Sequence, residues 1–162
     1  MTIGVGDKVP GASLLHVGDE GPGTVDLGAK LAGRKVVLFG LPGAYTRTCT
    51  AAHVPSFIRT YDAFMAKGVD EIICVAVNDP FVMQAWGEAT GATAAGITML
   101  ADADASFTKA IGMEFTAPPV GFYDRSKRFA MYVEDSVVKV LHEEPGPGEC
   151  DISGGESMLA EI

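Results

Sequence analysis

The chain has 162 residues, 48% of them hydrophobic and 20% charged, which is typical of one globular domain with a real core, here residues 1–162. Its net charge of −9 argues against nucleic acid as a partner and disfavours a membrane surface. Three cysteines at long separations favour a reducing compartment over a disulfide framework. No apolar stretch approaches the roughly 18 residues of a membrane span, and the N-terminus does not resemble a signal peptide. We therefore expect a cytoplasmic location.

The first predicted elements are strands followed by a helix. The first 33 residues are Gly-rich and contain two short apolar strands, near Leu14–Val17 and Val25–Leu27. Val36–Leu41 is a continuous apolar run, as expected for a central strand of a parallel sheet. A helix is predicted from about Cys49 to Ala66, and Pro55 inside it should kink or restart it.

The rest of the chain continues this alternation and then changes to a hairpin. In chain order, we predict a strand at Glu71–Val77, a helix from Asp79 to Gly91, a strand at Ile97–Leu100, a short helix capped by Asp102 or Asp104, hairpin strands at Arg128–Val133 and Val137–Leu141, and a helix at Glu156–Ile162. Alternating strands and helices imply a parallel sheet with right-handed crossovers, which the hairpin makes mixed. This is the order of a thioredoxin-like α/β fold with insertions.

One cysteine stands in a setting that favours reactivity. Cys49 follows the Val36–Leu41 strand and a Pro-Gly turn, in the first helical turn, where free N–H groups and the helix dipole favour negative charge. A thiol at such a position ionises more easily than a free one. Thr46 completes a T-x-x-C motif, which has the spacing of a redox C-x-x-C but cannot close its own disulfide. Cys49 must then react with another group, unless it is a small buried hydrophobe.

Three segments resemble the type II, or atypical, peroxiredoxins of the thioredoxin-like superfamily. They are P-G-A-Y-T-R-T-C-T-A-A-H-V-P-S-F around Cys49, C-V-A-V-N-D-P-F-V-M-Q-A-W from Cys74, and K-R-F-A-M-Y-V-E-D from Lys127. The resemblance runs over nearly the whole chain. It implies an antioxidant thiol peroxidase that reduces hydrogen peroxide and alkyl hydroperoxides through a sulfenic acid on Cys49, with no cofactor or metal.

The resemblance also implies roles for individual residues. Cys49 is the peroxidatic cysteine, Thr46 binds the peroxide and steadies the thiolate, and Pro42 shields the sulfur from bulk water. Arg128 is the basic residue that approaches Cys49 in space, although its sequence context alone suggests a solvated arginine at a strand edge. A cation there stabilises both the thiolate and the charge that develops on the leaving oxygen. Family members often carry proline where this chain has Arg47, which adds a positive charge near the nucleophile.

The resemblance leaves the recycling step and the assembly open. Cys74 and Cys150 are the possible resolving thiols, but Cys74 lies mid-strand, and Cys150 lacks the spacing of the resolving cysteine in animal members. We expect neither to be essential, and an external thiol to recycle Cys49: glutathione with glutaredoxin, or else thioredoxin. The family implies a homodimer joined through loops near the site. Residues Pro42 to Tyr45 contribute an apolar patch there, together with Phe81 and Trp86 unless both lie in the core.

The segment Gly121–Ser126 is bulkier and more acidic than the Gly-rich loop expected at the rim of the substrate pocket.

Two other functions fit parts of the sequence. His53 follows Cys49 by four residues on one helix face, so a Cys–His hydrolase is a rival, although a histidine that lines a helix–loop contact is the simpler interpretation. A non-catalytic redox sensor would keep Cys49 but could dispense with Thr46 and Arg128. Zinc is disfavoured because Cys49 and His53 supply only two of the three or four ligands required.

Overall fold

Within residues 2–162, which the computed structural model describes, strands and helices alternate as predicted. The strands are β1 (Ser13–Gly18), β2 (Gly21–Asp26), β3 (Lys35–Leu41), β4 (Glu71–Ala76), β5 (Thr98–Ala101), β6 (Glu114–Ala117), β7 (Phe122–Ser126), β8 (Phe129–Glu134) and β9 (Val137–Glu143). The helices are α1 (Leu27–Leu31), α2 (Val54–Ala66), α3 (Pro80–Thr90), α4 (Ala92–Ala95), α5 (Ser106–Ala110) and α6 (Gly155–Leu159). A π-helical turn, Cys49–His53, precedes α2, and a 3-10 turn lies at Pro118–Val120.

Seven strands form one mixed sheet in the order β2-β1-β5-β4-β3-β8-β9. Strands β3, β4 and β5 are parallel, whereas β8 runs antiparallel to β3 and continues into the β8–β9 hairpin. Because the parallel strands end at the same edge, the segments that follow β3 and β4 meet there. This mixed sheet with flanking helices confirms the predicted α/β fold class.

The central strand β3 is buried on both faces. Its alternate residues Val37, Phe39 and Leu41 belong to one apolar cluster with α2 and α3, and Val36 and Leu38 belong to a second cluster on the opposite face. Successive side chains of a strand point to opposite sides of the sheet, which is why a continuous apolar run was required here.

The helix after β3 restarts at its proline, as predicted. The N–H of Val54 bonds the carbonyl of Cys49, five residues back, and α2 then continues with Pro55 in its first turn. Proline has no N–H and is tolerated at the start of a helix. The π-helical turn is therefore a separate segment that carries Cys49 at one end and His53 at the other.

Three sequence predictions differ from the structure. Leu27 does not extend a strand but begins α1, because Asp26 caps that helix through the N–H of Ala29. Gly121–Ser126 is mostly strand β7, which pairs with β6 in a small second sheet. Phe81 is 58% exposed and outside the core, whereas Trp86 is fully buried. No helix within residues 2–162 has both the length and the apolar character needed to cross a bilayer.

Candidate active site

Cys49 lies at the edge of the sheet where β3 ends. The turn before it is held by the N–H of Ala44, which donates to Asn78 Oδ1 at 2.9 Å. Tyr45 adopts the left-handed conformation with φ of 64°. The N–H of Thr50 then bonds the carbonyl of Thr46 at 3.1 Å, so Cys49 lies in the first turn of the helical segment, as predicted. Its side chain is fully buried.

Arg128 is the residue that meets the sulfur. It precedes β8 and is 1% exposed, and its Nη2 donates to Cys49 Sγ at 3.2 Å. Its Nε and Nη2 also donate to the carbonyl of Pro147 at 3.2 and 2.9 Å. The ion pairs with carboxylates found within residues 2–162 do not include Arg128. Arg128 is therefore not a solvated strand-edge residue, and its buried guanidinium contacts the sulfur of Cys49 directly.

His53 supports the guanidinium rather than the sulfur. Its Nδ1 accepts from Arg128 Nη1 at 3.0 Å, and its Nε2 then carries the proton that it donates to the carbonyl of Ser153 at 3.0 Å. Burial and the charge of Arg128 lower the pKa of His53 to about 3, although the Ser153 carbonyl opposes the shift. Both ring nitrogens are occupied, so His53 has no lone pair for the Cys49 proton. This contradicts the hydrolase alternative and confirms a histidine in a helix–loop contact.

The hydroxyl proton of Thr46 is already used within the turn that precedes Cys49. Its hydroxyl donates to the carbonyl of Gly43 at 2.7 Å. A hydroxyl has one proton and two acceptor lone pairs, so it is left as an acceptor. The hydroxyl proton is therefore not directed at the sulfur, and the free lone pairs of the hydroxyl oxygen suit a peroxide O–H.

A pocket of about 410 Å³ opens in front of Arg128. Its lining is mainly apolar and comprises Pro42, Thr46, Arg47, Thr48, Val120, Phe122, Arg128, Pro147 and Gly148. Pro42 is buried, and its carbonyl accepts from Arg125 Nη1 at 3.0 Å. Arg47 is exposed at the rim. The pocket therefore joins the T-x-x-C turn to the β6–β7 sheet.

Cys74 and Cys150 are both free thiols, neither of which is set up to ionise. Cys74 is fully buried on β4 beside Phe39, and its burial raises its pKa well above the usual value. Burial also raises the pKa of Cys150, with Glu144 adding to the shift and Arg128 opposing it. The structure thus places both predicted candidates near the site but keeps them protonated.

Several groups of the site were not predicted from the sequence. Arg125, from the segment expected to be a loop, bonds the Pro42 carbonyl and stacks over Phe122 with its guanidinium carbon 5.3 Å from the ring centre. The carbonyls of Pro147 and Ser153 hold Arg128 and His53. Backbone carbonyls have no signature in a sequence, whereas Arg125 could have been noted as a second cation beside the pocket.

The chain is similar to known proteins over nearly its whole length. The redoxin family model, described as Redoxin, matches residues 4–159. Peroxiredoxin-2E-2, chloroplastic, from Oryza sativa subsp. japonica is 45% identical over 163 residues, covering 98% of this chain and 72% of the relative. Peroxiredoxin-2B of Arabidopsis thaliana is 40% identical over 158 residues, covering 97% of this chain and 96% of the relative.

A solved structure, reduced Prx3 in complex with H2O2 from Vibrio vulnificus, has a TM-score of 0.92 at 45% identity and covers 99% of each chain. The family match over nearly the whole chain, together with these identities, confirms the resemblance found in the sequence. The chain belongs to the redoxin family and, within it, to the peroxiredoxins, thiol-dependent peroxidases that reduce peroxides on a thioredoxin-like fold.

Proposed function

We propose that Cys49 is the peroxidatic cysteine, that Arg128 and Thr46 act with it on the peroxide, and that Pro42 shields the sulfur. The observation that carries this proposal is the fully buried guanidinium of Arg128, 3.2 Å from the sulfur. A buried charge needs a partner of opposite sign. The thiolate of Cys49 provides one, so the same contact that neutralises Arg128 keeps the sulfur in its nucleophilic form.

The reaction uses the remaining groups in turn. A peroxide in the pocket donates its O–H to Thr46 Oγ1, which brings its outer oxygen to the sulfur. The thiolate attacks that oxygen, the S–O bond forms as the O–O bond breaks, and the electron pair goes to the leaving oxygen. Arg128 faces the charge that develops there. The leaving oxygen takes a proton from water and departs as water or an alcohol, and Cys49 becomes a sulfenic acid.

The pocket walls favour organic peroxides alongside hydrogen peroxide. Val120 and Phe122 present apolar surface to any alkyl group attached to the hydroperoxide. The apolar walls bury that group, while Thr46 and Arg128 contact the peroxide oxygens. Arg47 adds a positive charge at the rim, which attracts an anionic substrate or an anionic thiol.

An external thiol completes the cycle in this proposal, with glutathione and glutaredoxin favoured over thioredoxin. The sulfenic acid condenses with one thiol to release water and form a mixed disulfide, and a second thiol releases Cys49. The protonated state of Cys74 and Cys150 supports external recycling, because a thiolate is the attacking species. The fully buried sulfur must become exposed locally before that step.

A homodimer and a cytoplasmic location complete the proposal. Four large side chains are 57–65% exposed, namely Tyr45, Phe81, Val120 and Tyr123, and one of them, Val120, lines the pocket. Such exposed apolar groups are typical of interfaces, and they support pairing of two copies through this face. The location rests on the three unpaired cysteines.

The decisive experiment compares Cys49→Ser with Cys74→Ser and Cys150→Ser. Turnover of hydrogen peroxide and of an alkyl hydroperoxide is measured with glutathione and glutaredoxin, and a sulfenic acid trap is read by mass spectrometry. We expect Cys49→Ser to abolish both signals and the other variants to keep them. Retained turnover in Cys49→Ser would overturn the proposal. Trapping without turnover in Cys74→Ser or Cys150→Ser would identify an internal resolving thiol.

The same assay distinguishes the redox-sensor alternative. A sensor would form the sulfenic acid in the unaltered chain but show no catalytic turnover with glutathione and glutaredoxin or with thioredoxin.

A further inference from the structure

The segment 145–153 supplies three backbone carbonyls to the site. The carbonyl of Pro147 receives two N–H groups of Arg128, and the carbonyl of Ser153 receives His53 Nε2. The carbonyl of Gly148 accepts from the hydroxyl of Thr48 at 2.9 Å. This segment contains two prolines and two glycines and forms neither helix nor strand. The segment therefore lacks the regular backbone hydrogen bonds of a helix or a sheet, so a side chain outside it must hold it in place.

Glu144 is the buried carboxylate that does so, alongside His142 and Ser157, which bond the carbonyls of Ile152 and Asp151. It follows β9 directly, is 5% exposed, and its backbone N–H donates to the carbonyl of Arg128 at 3.0 Å. Its Oε2 accepts from the N–H of Asp151 and of Ser153, both at 2.7 Å, and from the hydroxyl of Ser153. The side chain thus joins the start of the segment to its end.

The charge on Glu144 is preserved by these contacts. Burial would raise the pKa of its carboxyl, but the bonds from Ser153 and Asp151 outweigh burial and hold the pKa below its usual value. An ionised carboxylate makes stronger hydrogen bonds than a neutral acceptor of the same shape. The segment is therefore held by a charged group next to the residue that contacts the sulfur.

We propose that Glu144 is a positioning residue of the peroxidase, which fixes the segment 145–153 so that its carbonyls hold His53 and keep the guanidinium of Arg128 aimed at Cys49. This inference rests on the proposed roles of Cys49 and Arg128. It follows from how the guanidinium of Arg128 is held. Its hydrogen-bond partners other than the sulfur are the Pro147 carbonyl, which lies on this segment, and the neutral imidazole of His53, which the Ser153 carbonyl of the segment holds. A shift of the Pro147 carbonyl moves the guanidinium away from the sulfur.

The size of the effect follows from the tolerance of reacting groups to displacement. A misplacement of roughly 1 Å at a catalytic group costs about a hundredfold in rate. Glu144→Ala leaves two N–H groups and one hydroxyl without their acceptor, so we expect the rate constant for sulfenic acid formation on Cys49 to fall by about ten- to a hundredfold. Glu144→Gln keeps the shape and one acceptor oxygen and should lose less.

Glu71→Ala is the matched control. Glu71 is another largely buried carboxylate with three side-chain partners, Lys30, Arg34 and Thr98, but it lies at the opposite end of β4 from the site. Glu71→Ala should lower the free energy of unfolding but leave the rate constant for sulfenic acid formation on Cys49 unchanged. Both rate constants are measured well below the unfolding temperature of each variant. If Glu144→Ala and Glu144→Gln also keep the parent rate constant, Glu144 only stabilises the fold and the inference is wrong.

A double-mutant cycle with Arg128→Ala tests whether Glu144 acts through Arg128. Residues that act through one contact are not additive, so Glu144→Ala should add little to the loss already caused by Arg128→Ala. Full additivity would contradict the inference. Turnover in Cys49→Ser would instead reject the proposed function itself, so the two failures are distinguishable.

Discussion

Mild acid should destabilise the folded protein through His53, and His53→Gln should remove that sensitivity. The imidazole is fully buried between Arg128 and the Ser153 carbonyl, and its pKa falls from 6.5 to about 3 on folding. The unfolded chain therefore binds a proton at pH values where the folded chain does not. Because the folded pKa is the lower one, this contribution to stability is complete above about pH 6.5 and is lost as the pH falls towards 3.

The magnitude follows from the two pKa values. At about pH 5.5 an unfolded histidine of ordinary pKa is mostly protonated, and the resulting loss in the free energy of unfolding relative to pH 7.5 is about 1.4 kcal/mol. For a chain of this length such a loss lowers the melting temperature by about 3–6 °C. The carboxyls of Glu71 and Glu144, whose pKa values are held below 4.5, add their own losses only in more acidic solution.

The assay is denaturant unfolding of the reduced protein at about pH 7.5 and pH 5.5, for the parent, His53→Gln and His16→Gln. His16 lies far from the site on β1 and controls for the removal of a histidine. We expect the parent and His16→Gln to lose the same free energy of unfolding on acidification, and His53→Gln to lose little. An equal loss in the parent and His53→Gln would refute the reasoning, because the acid sensitivity would then originate elsewhere.

Three further substitutions test the site and the sheet. Arg128→Lys keeps the positive charge but loses the planar guanidinium that reaches both Cys49 Sγ and the Pro147 carbonyl. The oxidation of Cys49 by peroxide, followed by stopped flow, should therefore slow by about tenfold or more. An oxidation rate equal to that of the parent would show that charge alone suffices. Thr46→Val should slow the peroxide reaction but not alkylation of Cys49, and equal slowing of both would place Thr46 on the sulfur instead. Gly40→Ala directs a methyl group into the ring of Phe129 and should lower the free energy of unfolding by about 1–3 kcal/mol. The control is Gly23→Ala, where the added methyl group meets open space, and an unchanged unfolding midpoint in Gly40→Ala would contradict this packing.

The parts of the fold that were predicted correctly are those where burial determines the residue type. Strands β3 and β4 are continuous apolar runs because both faces are covered, and Asp79 with Pro80 marks the start of α3 by capping. The β6–β7 sheet was missed because its strands are short and mostly exposed, so their sequence alternates weakly. Helix α1 was missed because its five residues offer little periodicity.

The sequence predicted the nucleophile of the site but not the contacts of the residues that surround it. The strand, turn and helix start around Cys49 are local, and each has a physical signal in the sequence. Arg128 lies 79 residues away, and only the family resemblance indicated that it meets the sulfur. His53 was noted for its spacing from Cys49, but its partner proved to be the guanidinium. The direction of a side chain across the molecule depends on the tertiary fold, which spacing along a helix does not report.

The buried guanidinium connects the peroxide step of the proposed cycle to the recycling step. In the proposed cycle Arg128 contacts the Cys49 thiolate of the reduced protein, whereas a sulfenic acid is neutral and leaves the guanidinium with the Pro147 carbonyl and a neutral imidazole. Loss of one partner from a buried pair costs roughly 3 kcal/mol or more. The adjacent π-helical turn Cys49–His53 has non-standard helical geometry. We infer that local unfolding of this turn would relieve the free-energy cost of the unpaired guanidinium. We infer that such opening would hydrate Arg128 and expose the sulfur together. Oxidation would then itself favour the exposure that an external thiol requires.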